Sequence, residues 1–217
     1  MTHKLPLFPL NTVLFPGAPL PLHIFEERYR LMISRCIEQQ APFGVVLIRE
    51  RGRADTDPNV SFCAIGTAAQ IGEGVRLEDG RYYLVVTGQR RFRVQYLTQR
   101  QPYLIGSVAY LPEETSPDAL ETAGELRVLY RRYWAAMQAS TGYHAEVETP
   151  PEDVVEFTYW LAHRFQNDVV QRQRWLEADV ATRLREMGAA MRAEIALLPS
   201  SESGLRERTW IGPGSWN

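Results

Sequence analysis

The sequence predicts an α+β protein, with a β-rich half preceding a helical half. Three observations support that class. Up to about Leu111 the apolar residues fall in short runs, some alternating with polar residues, and glycine or proline punctuates them. At PEETSPD (Pro112–Asp118) the pattern switches to helical spacing. Near the end, Val180, Leu184, Met187, Met191, Ile195 and Leu198 recur at intervals of 4, 3, 4, 4 and 3, the seam of a packed helix. Strands and helices segregated along a chain argue α+β rather than alternating α/β.

The opening stretch LPLFPLNTVLFPGAPLPLHIFEERYR (Leu5–Arg30) sets five prolines among apolar residues that read as core. Leu5–Leu10 and Val13–Phe15 are short strand-like runs, and Pro16-Gly17 after them is a turn. Leu20–Ile24 is a further run. Pro21 inside it cannot donate to a ladder, which makes this an edge strand or a bulged one. A helix begins near Phe25 or Glu26. Tyr29, Met32, Ile33, Cys36 and Ile37 share its apolar face, and Glu26 and Arg30 are spaced for an i,i+4 ion pair. Phe43–Ile48 reads as a buried strand and RERGRADTDPN (Arg49–Asn59) as a polar loop. Ala64–Ile71 is the next strand, and Gly72-Glu73-Gly74 reads as a hairpin loop. Tyr82–Thr87 and Arg91–Tyr96 read as two strands separated at Gly88. In the second, Phe92, Val94 and Tyr96 take one face, and Arg91, Arg93 and Gln95 the other. Tyr103–Leu111 closes the β half.

In the helical half Ser116 is placed as an N-cap, Pro117 at the first helical position, and Asp118 and Glu121 where they complement the helix dipole. Leu120, Ala123, Leu126, Tyr130, Tyr133 and Met137 mark a helix of several turns. A loop holding Gly142 and Pro150-Pro151 leads to a second helix with Val154, Phe157, Leu161 and Phe165. A third runs from about Asp168 to Leu176, and the last from Val180 to Leu198, stopped by Pro199. The expected organisation is a β unit over residues 1–112, a helical unit over 116–199, and a mobile tail over 200–217 with Trp210 and Trp216 as docking points.

Composition narrows the function. The 217-residue chain is 45% hydrophobic and 23% charged, with a net charge of -2, so no global field favours nucleic acid or an anionic membrane. Lys4 is the only lysine, and any lysine-dependent mechanism would have to use it. Cys36 and Cys63 are the only cysteines, which fits buried, inert thiols in a reducing, cytoplasmic setting. The start lacks a clustered basic segment, and its prolines interrupt any signal-peptide core. No run is long enough to span a bilayer.

Catalytic chemistry finds little purchase. A P-loop needs a lysine after its glycines, and Lys4 has none before it. Gly72-Glu73-Gly74 lacks a third glycine, since Leu77 stands there, and its acidic residue repels phosphate. The histidines His3, His23, His144 and His163 form no HExxH, and there is no CxxC. His23, in an apolar strand, reads as a satisfied core histidine, and His163, beside Arg164, as a surface or interface residue. No GxSxG occurs, and a Ser–Lys dyad would depend on terminal Lys4. The acids at Glu113-Glu114, Glu146–Glu148 and Glu152-Asp153 suit solvated faces and helix starts. RRFRVQY (Arg90–Tyr96) interleaves arginines with aromatics and could hold phosphates and stack bases. Ordinary alternation explains it as well, with aromatics in the core and arginines in water.

The residues also carry a family pattern. LPLFPLNTVLFPGAPLPLHIFEERYRLMI (Leu5–Ile33) resembles the opening of the Lon protease N-terminal, substrate-binding domain. FCAIGTAAQI (Phe62–Ile71), DGRYYLVVTGQRRFRV (Asp79–Val94) and, more loosely, the stretch from Val154 to Leu198 continue the similarity. The resemblance implies a PUA-like β pseudo-barrel with one inserted helix, followed by a C-terminal helical bundle. It also implies that the opening prolines are architectural, with Leu7, Phe8, Leu14, Phe15 and Ile24 filling the barrel. The ATPase and Ser–Lys peptidase modules of full-length Lon are absent before the chain ends at Asn217. The expectation is therefore a non-catalytic protein-binding module, an adaptor or substrate binder in protein quality control. Its expected partners are exposed apolar polypeptide segments, a companion protease or chaperone, and a weak self-association. No cofactor, metal, catalytic residue or specific binding residue is assigned. The alternative, RNA binding, follows from the PUA-like fold and has Arg90–Arg93 as its local support.

Overall fold

The computed structural model describes residues 2–49, 61–141, 148–165 and 168–197. The polar loop beyond Arg49, Gly142, His144, Glu146, Leu198, Pro199 and the 200–217 tail lie outside the described residues. Six strands and five helices follow in order: β1 (His3–Leu10), β2 (Pro19–Ile24), α1 (Glu27–Glu38), β3 (Phe43–Ile48), β4 (Phe62–Arg76), β5 (Tyr82–Gln99), β6 (Leu104–Tyr110), α2 (Pro117–Thr141), α3 (Val154–Arg164), α4 (Val169–Glu177) and α5 (Val180–Leu197). This is the α+β class expected, with one helix inserted early.

The strands form one mixed sheet in the order β2-β5-β4-β3-β1-β6, and an additional β5–β6 pairing brings its end back on itself. The ring is not a clean barrel. The long β5 serves two partners in succession: its first half carries β2, and its second half, from Phe92, carries β6. β2 therefore stands at an edge, which accommodates Pro21. β1 accommodates its prolines differently. It pairs with β6 over His3–Leu7 and with β3 over Leu7–Leu10, so Pro6 and Pro9 each lie where one side is unpaired.

Several sequence expectations are corrected. Tyr82–Gln99 is one strand, not two, because Gly88 answers a close approach rather than a turn: a Cβ there would lie 2.2 Å from the Phe15 carbonyl oxygen. Val13–Phe15 is irregular rather than a strand. Its polar groups and those of the following turn are taken up elsewhere: Thr67 Oγ1 donates to the Leu14 carbonyl at 2.6 Å, and Gly17 N–H to that of Gly88 at 2.8 Å. Gly72-Glu73-Gly74 is a bulge within β4, not a hairpin loop. The turn comes later, at Gly80, where φ is +82°. Glu26 precedes α1 with extended backbone and pairs with Arg28 at 2.8 Å, not with Arg30. Ile37 and Leu120 are exposed. The buried line of α2 instead starts one residue earlier, running through Ala119, Ala123, Leu126 and Tyr130.

The helical half follows its sequence signals. Ser116 Oγ accepts from Ala119 N–H at 3.2 Å, and Asp153 and Asp168 cap α3 and α4 at 2.9 and 2.8 Å. On α5, Val180, Leu184, Met187 and Met191 are buried. A small cluster gathers Leu5, Leu7, Val46, Phe92, Leu104 and Val108 between strands. Phe8, Leu14, Phe15 and Ile24 belong instead to a larger cluster that continues into the helices. One apolar core thus joins the two halves.

Candidate functional site

Two surfaces stand out, and the register of β5 produces both. In its first half the alternation is regular. Tyr82, Leu84 and Val86 point inward, and Tyr83 and Val85 point outward. His23 of β2 and Val75 of β4 are the register partners of Tyr83, and Pro21 is that of Val85. The outer face of β2-β5-β4 is accordingly apolar and uncovered. Phe25 is 60% exposed, Val75 63%, Tyr83 50% and Val85 42%. The His23 ring stacks on Tyr83 at 4.4 Å and meets Phe25 at 5.6 Å. A shallow hollow of about 450 Å³ runs among Pro21, His23, Val75, Tyr83 and Val85, with Glu73 also in its lining. Grouped apolar exposure of this kind makes the face a candidate interaction surface. The neighbouring free edge is guarded. Pro19 and Pro21 occupy alternate positions of β2, so ladder bonds fall to the residues between them and the open side lacks N–H donors at both.

The second surface is a cleft of about 840 Å³ between the β5 region and α3. A bulge opens its β side. Thr67 pairs with Arg91 and Ala69 with Gly88, so Ala68 alone opposes Gln89 and Arg90. Both side chains turn out and line the cleft. The other wall is Val155, Tyr159, Trp160, His163 and Arg164 of α3, with Arg164 over the Trp160 ring at 4.0 Å.

A buried polar network fixes these walls. Arg91 is 7% exposed and Arg183 0%. Arg91 Nε approaches Glu113 Oε1 at 2.5 Å, and its Nη1 donates to the carbonyls of Leu176 and Ala178 at 3.0 and 2.8 Å. Arg183 donates to the carbonyls of Trp175 and Ala178, to Thr158 Oγ1 at 2.6 Å and to the Tyr159 hydroxyl at 3.0 Å, and lies 3.6 Å from Glu113. The Tyr159 hydroxyl donates to Glu113. The two arginines also complement the carbonyl-rich C-terminal end of α4. Burial holds the Tyr159 phenol well above its usual range, against the pull of Arg183 and Arg91, so it stays a donor. Burial, reinforced by Arg172 and Arg164, lowers the His163 pKa and favours the neutral ring.

The residues singled out in the sequence are thereby placed. His23 is exposed and stacked rather than buried in the core, because it sits on the outer phase of an edge strand. His163 is half-buried on the cleft wall. Arg91 is buried, not in water, and Tyr96 is 60% exposed, not in the core. A register shift between Val94 and Tyr96 ends the alternation that assigned Tyr96, and the carbonyls of Leu176 and Ala178 draw Arg91 inward. Lys4 lies exposed on β1, opposite Ser107. Cys36 and Cys63 are free and buried, and burial pushes the Cys36 thiol up to about 11. Among the described residues no group of three or more His, Cys, Asp and Glu side chains is placed to hold a metal ion. None of their helices is long and apolar enough to cross a membrane. The bulge at Gln89–Arg90 and the role of Glu113 had no local signal, since both depend on strand register and on partners far along the chain.

The fold is that of Lon N-terminal domains. The crystal structure of a Lon N-terminal domain protein from Xanthomonas campestris superposes with a TM-score of 0.60 at 30% identity, covering 86% of this chain and 98% of that one. The N-terminal domain of Mycobacterium avium complex Lon protease gives 0.63 at 17% identity, with 88% and 98% covered, a likeness of fold alone. The chain belongs to the ATP-dependent protease La (LON) substrate-binding domain family, whose model matches residues 4–192. That is a family of substrate-recognition domains, not catalytic ones. Lon protease 2 of Syntrophobacter fumaroxidans is 27% identical over 180 residues, 82% of this chain and 22% of that protein. Lon protease of Parabacteroides distasonis is 31% identical over 152 residues, 70% of this chain and 18% of its own length. The chain thus matches only a small part of these curated relatives.

Proposed function

We propose that the chain captures polypeptides through their exposed apolar segments and serves as a substrate-recognition or adaptor component in protein quality control. On this reading a partner protease or chaperone does the further work, in a reducing compartment that suits the two free thiols. The observation that carries it is the uncovered outer face of β2-β5-β4, with Phe25, Val75, Tyr83 and Val85 exposed together beside an edge that prolines guard. Such a face takes a partner's side chains by burying apolar area rather than by adding a strand. The reading divides the labour between a β unit over residues 1–112, which bears this face, and a helical unit over 116–199, which supplies the far wall of the cleft. The RNA reading loses support because Arg91 and Phe92, half of its local motif, are spent in the interior.

The test is a titration of labelled, permanently unfolded casein by fluorescence anisotropy, with wild type and with the triple variant Val75→Thr, Tyr83→Ser, Val85→Thr. The variant is expected to lose roughly tenfold or more in affinity, because apolar area is removed from the contact, with its melting temperature little changed. Wild-type affinity should change little between about 50 and 200 mM salt, whereas nucleic-acid binding through several phosphates would fall about a thousandfold or more. Unchanged casein affinity in the variant would overturn the assignment of the face. Tight, steeply salt-dependent binding of single-stranded RNA would overturn the function.

A further inference from the structure

We propose that the cleft between β5 and α3 is a second subsite, which receives a carboxylate carried next to an apolar side chain. This rests on the polypeptide-binding reading, and adds the chemistry that selects among polypeptides. The β5 bulge does the positioning. An unbroken strand would send Gln89 and Arg90 to opposite faces, but the extra residue turns both toward the cleft. Among the described residues Arg90 has no acidic partner; its contact is the Tyr110 ring, 4.7 Å from the guanidinium. The guanidinium fork is therefore available, and its planar pair of donors matches a carboxylate.

The surroundings favour an anion with an apolar neighbour. Arg90 and Arg91 line the cleft with Glu113 and Glu156, Arg183 stands buried behind Glu113, and Arg164, also in the lining, is paired with Glu148. Glu113 is shared by Arg91 and Arg183, which leaves one positive charge of that trio uncompensated in addition to Arg90, against the single carboxylate of Glu156. His163, on the opposite wall, is held toward its neutral form, so it can accept or donate a hydrogen bond without a charge of its own. Between these polar groups the lining is apolar, with Pro16, Pro19, Leu111, Pro112, Val155 and Trp160. A volume of about 840 Å³ lies within the range of a ligand-sized recess, which suits a residue or two of peptide.

The carboxylate could be the end of a chain or an acidic side chain, and four peptides of one apolar sequence separate these sources. They end in a free carboxylate or an amide, each with an internal Glu or Gln, and all carry the same N-terminal fluorophore. Their affinities are measured for wild type, Arg90→Gln and the casein-face triple variant, with thermal melts confirming folding. On wild type, at least one carboxylate form should bind about tenfold more tightly than the amide–Gln peptide, the worth of one charge-assisted hydrogen bond. The amide–Glu and carboxylate–Gln arms identify the source. Arg90→Gln should erase that ratio, and the face variant should weaken all four peptides while keeping it. Four equal affinities on wild type, or a ratio that persists in Arg90→Gln, overturns the subsite while leaving polypeptide binding standing. No peptide binding to wild type overturns both.

Discussion

Replacing Glu113 by alanine should destabilise the fold by about 3 kcal/mol. The carboxylate is 20% exposed, while the arginines it serves are nearly inaccessible, Arg91 at 2.5 Å and Arg183 at 3.6 Å. Removing one member of a buried pair typically costs about 3–5 kcal/mol, because the remaining charge is left uncompensated. The lower end applies here. Glu113 is partly solvated, and both guanidiniums keep their bonds to the carbonyls of Trp175, Leu176 and Ala178. With a urea m-value of about 2–3 kcal/mol/M, the midpoint should fall by roughly 1 M. The isosteric Glu113→Gln keeps an acceptor for Tyr159 and should lose about half as much. In the Glu113→Ala background, Arg183→Met should cost less than it does alone, since it removes the stranded charge, giving a coupling energy above about 1 kcal/mol. A midpoint shift below about 0.3 M at unchanged m, or strictly additive effects, would refute the reasoning.

Three further outcomes follow from the packing and the caps. Gly88→Ala should cost about 2–3 kcal/mol, the upper part of the overpacking range, because the new Cβ would meet the Phe15 backbone at 2.2 Å; a melting temperature equal to wild type would contradict this. Cys36, with its thiol pushed up to about 11 by burial, should react with an aromatic disulfide reagent only as fast as the protein unfolds, and native-state labelling within seconds would show otherwise. Asp179 accepts from Thr182 N–H at 2.8 Å, and that bond holds its pKa below the usual carboxylate range. A lowered native pKa means stability that is present above about pH 3.9 and lost as pH falls through the native value. Asp179→Ala should therefore cost about 1 kcal/mol at pH 7 and progressively less below about pH 4; a cost independent of pH would count against the cap.

What could be read from the sequence was whatever depends on neighbours along the chain. Pro21 implied an edge or bulged strand because a missing donor is a local fact, and β2 is at an edge. Ser116 and Pro117 implied a helix start, and the 4-3-4 spacing from Val180 implied its buried side, for the same reason. The candidate site was less legible because it depends on register. Alternation assigns faces only while every residue has one partner, and β5 is bulged at Gln89–Arg90 and shifted again near Tyr96. Arg90 therefore turns into a cleft, and Arg91 and Tyr96 exchange the environments their spacing implied. Arg91 is buried because carbonyls of α4, some 85 residues later, accept its donors, and no window of sequence contains that pairing. His23 sits among apolar neighbours in the chain, yet the sheet presents it outward.

The central claim, capture of apolar polypeptide on the outer face of β2-β5-β4, is tested most directly by chemical-shift mapping. Amide and methyl resonances of the isotope-labelled protein would be followed during titration with an unlabelled unfolded polypeptide. The account predicts that the largest perturbations cluster at His23, Phe25, Val75, Tyr83 and Val85, with a smaller set at Gln89 and Arg90 when the ligand carries the selected carboxylate. Perturbations confined to the α2–α5 surface, or none at saturating polypeptide, would contradict it.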